Sequence, residues 1–325
     1  MAPDIGFDEP DACRLLSLGR HTAWYGENNY QASIMNNQDN VIEIRNLRKF
    51  YGKARGVTDV SFEVGRGEFF GFIGPNGAGK STTIRVLMGL IRASSGEAKI
   101  FGMDVWKDKP LTLARLGYLP SEINFYKSQT VDDVLRLAAG LHSSECGTQT
   151  DILCERLKLG RKQLVRDLSL GNRKKVGIVA ALQHKPELIV LDEPTSGLDP
   201  LMQHEFFSIL KERNDAGATI LLSSHILSEV QNFCTRAAII REGALVACDN
   251  VGNLLKTGAR SITVRGGFHP EGLEGCSGIE KNGDNVHFLF DGDIRKLLHA
   301  LSQSELEDIS IVEPSLEDIF MHYYK

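Results

Sequence analysis

From residue 41 onward the stretches "VIEIRNL" and "VTDVSFEV" alternate apolar and polar residues, a period of two that predicts strands with one face in a core. "GEFFGFIG" then runs through apolar residues until glycine stops it, which predicts a strand covered on both faces. Two more unbroken runs, "ELIVLDEP" and "ATILLSSH", carry polar residues at their downstream ends, as buried parallel strands do. Helical spacing occupies residues 81–90 and "LMQHEFFSILKERNDAG", the latter closed by Gly217 as a C-terminal cap. The alternation is β-α-β, the signature of an α/β fold with a mostly parallel sheet.

Between about residues 117 and 185 the pattern is helical, which predicts a helical insert. In "TVDDVLRLAAGLH" Thr130 is placed to cap a helix, and Asp132 and Asp133 suit its first turn. After about residue 258 the rhythm changes to "SITVR", "NVHFLF", a helix near "IRKLLHALSQ" and "DISIVE", which predicts a small C-terminal α+β domain over 258–325. Residues 1–40 show no sustained period and end in "MNNQDN", so they are expected to form a disordered leader, with Met35 as an alternative start. The main domain is expected over 41–250.

Composition narrows the function more than the fold. The 325 residues carry a net charge of −5, so no global basic field gathers nucleic acid, and none is expected as partner. No stretch approaches the roughly 20 apolar residues of a membrane span, which points to the cytoplasm. The six cysteines form no C-x-x-C pair and no zinc spacing and are read as isolated thiols.

Chemistry enters at "GPNGAGKST", residues 74–82, which matches G-x-x-x-x-G-K-[ST] between an apolar strand and a helix, the context that pattern requires. Such a loop, here Gly74, Pro75, Asn76, Gly77, Ala78 and Gly79, turns backbone N–H groups toward a phosphate. Lys80 then reaches the terminal phosphates of ATP, and Ser81, followed by Thr82, can ligate Mg²⁺. Asp192 and Glu193 end one buried strand and His225 ends another, where ligands of α/β sheets bind. Asp192 suits the metal, and Glu193, pointing elsewhere, suits the base that orients an attacking water.

In this order the phosphate loop, "LIVLDEP", "SGLD" (Ser196, Gly197, Leu198 and Asp199) and "SSH" resemble the ATP-binding subunits of ABC transporters. "LSLGN" stands where that family has its L-S-G-G-Q signature. The resemblance implies a P-loop NTPase core with a helical subdomain, ATP and Mg²⁺ as ligands, and His225 on the γ-phosphate side. It also implies a head-to-tail ATPase dimer, homo- or heteromeric, in which Ser169 and Gly171 of one chain close over the ATP of the other. Separate transmembrane permease subunits would hold the protein on the inner face of the membrane.

Three departures from the family pattern carry expectations of their own. Leu170 and Asn172 replace the first Gly and the Gln of the signature, leaving the donors of Ser169 and Gly171 in place but adding a Cβ. Arg173, Lys174 and Lys175 follow and could add positive charge beside the signature, but three cations on a helix ordinarily form a solvated face. The family's Gln, which links the metal and the water to the membrane partner, should fall in "GYLPSEINFY", where Ser121 stands in its place and Glu122 follows. Tyr51 matches the adenine-stacking aromatic, with Phe50 beside it as a rival. The ending "PSLEDIFMHYY", residues 314–324, resembles the C-terminal extension of ATPases that serve exporters of antibiotics, peptides and other hydrophobic compounds. The alternative reading is an ATPase switch of the same superfamily that acts on ribosomes or nucleic acid, or as a resistance or sensory protein without transport.

Overall fold

A computed structural model of the chain describes residues 40–52, 54–142, 146–255, 259–315 and 318. Of the expected leader, residues 1–39, with the alternative start Met35, lie outside the described residues, and Asn40 opens the first strand.

Two antiparallel strands, β1 (Asn40–Tyr51) and β2 (Ala54–Gly65), precede the buried strand β3 (Phe69–Ile73). Helix α1 (Lys80–Leu87) leads to β4 (Ser95–Ile100), β5 (Met103–Asp104), α2 (Lys109–Ala114) and β6 (Leu116–Leu119). The helices α3 (Val131–Gly140), α4 (Gly147–Arg156) and α5 (Leu170–Leu182) come next, with a short 3₁₀ turn at Val165–Asp167. The chain then returns through β7 (Leu188–Asp192), α6 (Pro200–Asp215), β8 (Thr219–Ser224), α7 (Leu227–Phe233), β9 (Arg236–Arg241), β10 (Ala244–Asn250) and α8 (Val251–Leu255). All ten strands join one sheet in the order β5-β4-β1-β2-β10-β9-β3-β8-β7-β6.

The parallel character of this mixed sheet is concentrated in β9-β3-β8-β7-β6, while β5, β4, β1 and β2 pair antiparallel. Every residue of β3, β7 and β8 is buried because successive side chains enter two different cores. Phe69, Ile73, Ile189, Leu191, Ile220 and Leu222 point into one, Phe70, Phe72, Leu188, Val190 and Leu221 into the other. That is why these strands read as unbroken apolar runs, each full side chain contributing ~1.5–3 kcal/mol of transfer free energy. Their register sets Ile73 beside Ser224 and Asp192 beside Ser223, so the phosphate loop and both acidic residues emerge at one edge.

The helical insert begins later than the sequence pattern placed it. Residues 116–119 form β6, paired in parallel with β7, so the helices start beyond Leu119. Gly117 interrupts the short run "LGYL" and hides the strand; a Cβ there would strike the carbonyl of Ala181 on α5. Thr130 caps α3 as expected: its hydroxyl accepts from the Asp133 N–H at 3.2 Å while the Asp133 carboxylate accepts from the Thr130 N–H at 2.9 Å. Gly217, with φ 97°, follows the last residues of α6 in the left-handed conformation that ends helices.

A second, antiparallel sheet combines β11 (Arg260–Gly266), β12 (Cys276–Asn282), β13 (Asn285–Phe290) and β14 (Leu306–Val312) in the order β12-β13-β11-β14. With helix α9 (Ile294–Ser302) it encloses a core of its own around Ile262, Val264, Phe288, Phe290, Leu297 and Leu301. Of the ending "PSLEDIFMHYY" only Pro314, Ser315 and Asp318 are described. Ser315 N donates to Asp318 at 2.8 Å and Asp318 N donates to the Ser315 hydroxyl at 3.2 Å.

Candidate functional site

The loop between β3 and α1 is shaped by glycine where nothing else fits. A Cβ on Gly74 would lie 2.5 Å from the Ile240 carbonyl, and Gly77 and Gly79 adopt φ 81° and 113°. Ala78 is buried and ties the loop to the sheet, donating to Pro75 O and accepting from Gly243 N. Lys80 opens α1 and is buried, its Nζ donating to Gly74 O at 2.7 Å and Pro75 O at 3.2 Å and lying 3.4 Å from Glu193 Oε1. The loop residues Pro75, Asn76, Gly77 and Gly79, with Lys80, Ser81, Thr82, Tyr51, Gly56 and Glu193, line a cavity of about 160 Å³. Tyr51 belongs to this lining and the equally exposed Phe50 does not.

Glu193 follows the last residue of β7 with φ 48°, a left-handed conformation that costs about 1–2 kcal/mol outside glycine. Its N–H bonds the Ser223 carbonyl at 3.0 Å, which fixes the turn, and its carboxylate sits between Lys80 and His225, whose Nδ1 is 3.3 Å away. Asp192 is only 1% exposed and, among the described residues, accepts one hydrogen bond, from the Ser223 hydroxyl at 3.0 Å. Among the described residues no cation lies within ion-pair distance of it. A buried carboxylate so weakly compensated suits a divalent cation, and with the Ser81 hydroxyl it offers the hard oxygen donors Mg²⁺ takes beside phosphate and water. The nearby Tyr118 phenol is pushed up to about 12, first by its own burial and then by the charge of Asp192.

The signature segment stands apart from this cavity. Ser169 caps α5, its hydroxyl accepting from Asn172 N at 3.3 Å. Gly171 packs so closely on the "SGLD" segment that a Cβ would approach Gly197 O to 2.5 Å, and Leu170 lies exposed against Gly197. In that segment Leu198 is buried and Asp199 caps α6 by accepting from Met202 N at 3.0 Å.

Ser121 and Glu122 line neither the phosphate cavity nor any part of it; with Leu170, Arg173, Lys174 and Ser196 they line a separate recess of about 310 Å³. The cation run is not the solvated face its sequence suggests. Lys174 is 3% exposed and Lys175 9%, because α5 is packed into the core on more than one side. Lys174 Nζ donates to Ser121 O at 3.0 Å and Pro120 O at 3.3 Å. Burial pulls its ammonium below the usual lysine range, and the charges of Asp192 and Glu193 oppose that shift. Lys174, Ser223 and Gly56 are the site residues that sequence reasoning missed; a Cβ on Gly56 would meet the Lys49 carbonyl and the Tyr51 ring.

A phosphate-cradling loop with a buried lysine, facing a carboxylate pair at the ends of parallel strands, defines a nucleotide-hydrolysing P-loop protein. Residues 57–196 match the ABC transporter family. The bacitracin transport ATP-binding protein of Bacillus licheniformis is 40% identical over 212 residues, 63% of this chain and 68% of that protein. An uncharacterized ABC transporter ATP-binding protein of Synechocystis is 32% identical over 301 residues, 87% of this chain and 84% of that protein. Among solved structures, an ATP-binding subunit of an ABC transporter superposes with a TM-score of 0.63 at 32% identity, covering 66% of this chain and 91% of that one. The chain belongs to the ABC transporter ATP-binding proteins. It binds ATP and hydrolyses it as the ATPase of a transporter. Among the described residues no helix is long and apolar enough to cross a membrane.

Proposed function

We propose that this chain drives export of an antibiotic, a peptide or another hydrophobic compound through separate transmembrane permease subunits, working as a head-to-tail dimer on the inner face of the membrane. Residues 41–250 act as the motor and 258–325 as an accessory domain. The observation that carries the reading is the Glu193 carboxylate, held between Lys80 and His225 at the mouth of a cavity built from the phosphate loop.

The roles follow from that geometry. Tyr51 offers its exposed ring to adenine, and the amides of residues 74–82 receive the phosphates. The terminal phosphate carries more charge than one carboxylate, so it draws Lys80 away from Glu193 and leaves Glu193 to orient a water and take its proton. His225 steadies the carboxylate from the other side and supports the γ-phosphate. Mg²⁺ on Ser81 and Asp192 would offset the charge that develops on the phosphate oxygens.

The dimer is inferred from what this cavity lacks. Ser169, Leu170, Gly171 and Asn172 are not among its lining residues, yet they open a 13-residue helix whose N-terminal end attracts an anion. The Ser169 hydroxyl accepts from Asn172 and still has its own proton to give to a phosphate oxygen. That phosphate belongs to a second chain. Leu170 leaves these donors free, and with Gly197 it shapes the surface presented to the partner ATP.

Support for an antibiotic as cargo comes from the bacitracin transport relative, and support for export from the resemblance of the ending "PSLEDIFMHYY" to exporter ATPases. The test is to tag the full-length chain, solubilise native membranes in mild detergent and identify what is retained with it. A polytopic membrane protein at stoichiometric yield is expected; soluble factors or ribosomes alone would reject the transport reading.

A further inference from the structure

Lys174 is the more deeply buried of two lysines, Lys174 and Lys175, that neither the phosphate cavity nor the dimer reading uses. Its position is unusual on three counts. It is 3% exposed, yet among the described residues no carboxylate lies within ion-pair distance of it, and its bonds go to two backbone carbonyls. Those carbonyls belong to Pro120 and Ser121, the first residues after β6, whose register with β7 sets Leu119 beside Leu191, one residue before Asp192. Its own helix, α5, begins at Leu170 and carries Gly171 against the Gly197 carbonyl. One side chain therefore joins the loop of Ser121, the start of the signature helix and the electrostatic field of Asp192 and Glu193.

A buried ammonium costs free energy, and a hydrophobic residue of the same length would fill the space without that cost. Lysine is the residue that donates to two carbonyls at once from the end of a four-carbon stem, and it has a third proton to spare for the recess it lines with Ser121 and Ser196. Charge-assisted bonds to carbonyls also resist stretching more than neutral ones do.

We propose that Lys174 is a positioning residue for ATP hydrolysis: by clamping the carbonyls of Pro120 and Ser121 it locks the Ser121 loop to the signature helix, so that both move as one body when the site closes. Ser121 is shorter than the glutamine that the family resemblance places there, and the clamp keeps its loop in register with the site without a long side chain. The inference rests on the signature assignment proposed above.

The test compares Lys174→Met, which keeps the length and loses the donors, with Lys174→Arg, which keeps charge and donors. Steady-state ATPase of the full-length chain gives kcat and KM, and thermal unfolding is recorded for each protein. Lys174→Met is expected to lower kcat at least about tenfold, as loss of positioning does, while KM for ATP stays within about twofold. Lys174→Arg is expected to restore most of the rate. The proposal is overturned if Lys174→Met keeps more than half of the rate. It is also overturned if both variants fail alike, or if the methionine variant is too unstable to assay, since Lys174 then serves packing alone. Glu193→Gln, assayed beside them, separates the two assignments: turnover that survives Glu193→Gln but not Lys174→Met would sink the base and leave the clamp standing.

Discussion

The phosphate side and the signature side of this molecule are built on different principles. Around the phosphate loop, backbone does most of the positioning: Gly74, Gly77 and Gly79 let the chain turn, and Lys80 and Glu193 are fixed by carbonyls and by one another. Around the signature, side chains are anchored to backbone that lies far away in sequence, as Lys174 is to Pro120 and Ser121. The first arrangement holds a ligand within one chain. The second opens a helix with Ser169 and Gly171 and, on the function proposed above, is completed by another molecule, so that its geometry would have to survive motion.

The largest expected effect breaks the phosphate side. Glu193→Gln removes the proton acceptor and retains the shape, so kcat should fall by on the order of 10²–10⁴ while ATP binding persists; a steady-state assay with a nucleotide-binding titration decides it. Next comes Gly171→Ala on the signature side. Its Cβ would stand 2.5 Å from the Gly197 carbonyl, and displacing the signature by roughly an ångström should cost on the order of 100-fold in turnover with little change in ATP binding to the isolated chain.

A pH effect belongs to the far end of the same helix. His184 follows α5, bonds the Leu116 carbonyl at 3.2 Å and stacks on His142; burial first, then His142, pulls it down to about 4. The unfolded chain binds that proton below about 6.5 and the folded chain resists it to about 4, so stability is whole above pH 6.5 and declines as pH falls through that window. The slope should be at most about 1.4 kcal/mol per pH unit. Urea unfolding at pH 7, 6 and 5 reads it, and His184→Gln should flatten it. Smallest is Thr130→Ala, which removes the capping box of α3 and should cost about 1 kcal/mol with kcat unchanged. A comparable loss of turnover there would mean that the insert is coupled to the site more tightly than the comparison allows.

The difference between the two sides also governs what the sequence made legible. The phosphate loop, Asp192, Glu193 and His225 could be read because each sits at a fixed step from a buried apolar run, and the packing of β3, β7 and β8 between two cores makes those runs continuous. Lys174 and Lys175 could not, since a cation run at a helix start looks the same whether the helix is half-buried or packed on several sides. β6 escaped notice because Gly117, required by the approach of Ala181, breaks its short apolar run. β9 and β10 were missed as a hairpin although a signal existed: Glu242 and Gly243 join them at φ 52° and 84°, the two successive positive values of a tight turn.

The central claim is that one chain holds the phosphates and the base while a second supplies Ser169 and Gly171. Light scattering of the Glu193→Gln protein with ATP and Mg²⁺ tests it most directly. A species of twice the chain mass is expected, returning to the monomer when Gly171→Ala is added to the same protein. A Glu193→Gln protein that binds ATP and stays monomeric, or a dimer indifferent to Gly171, would contradict it.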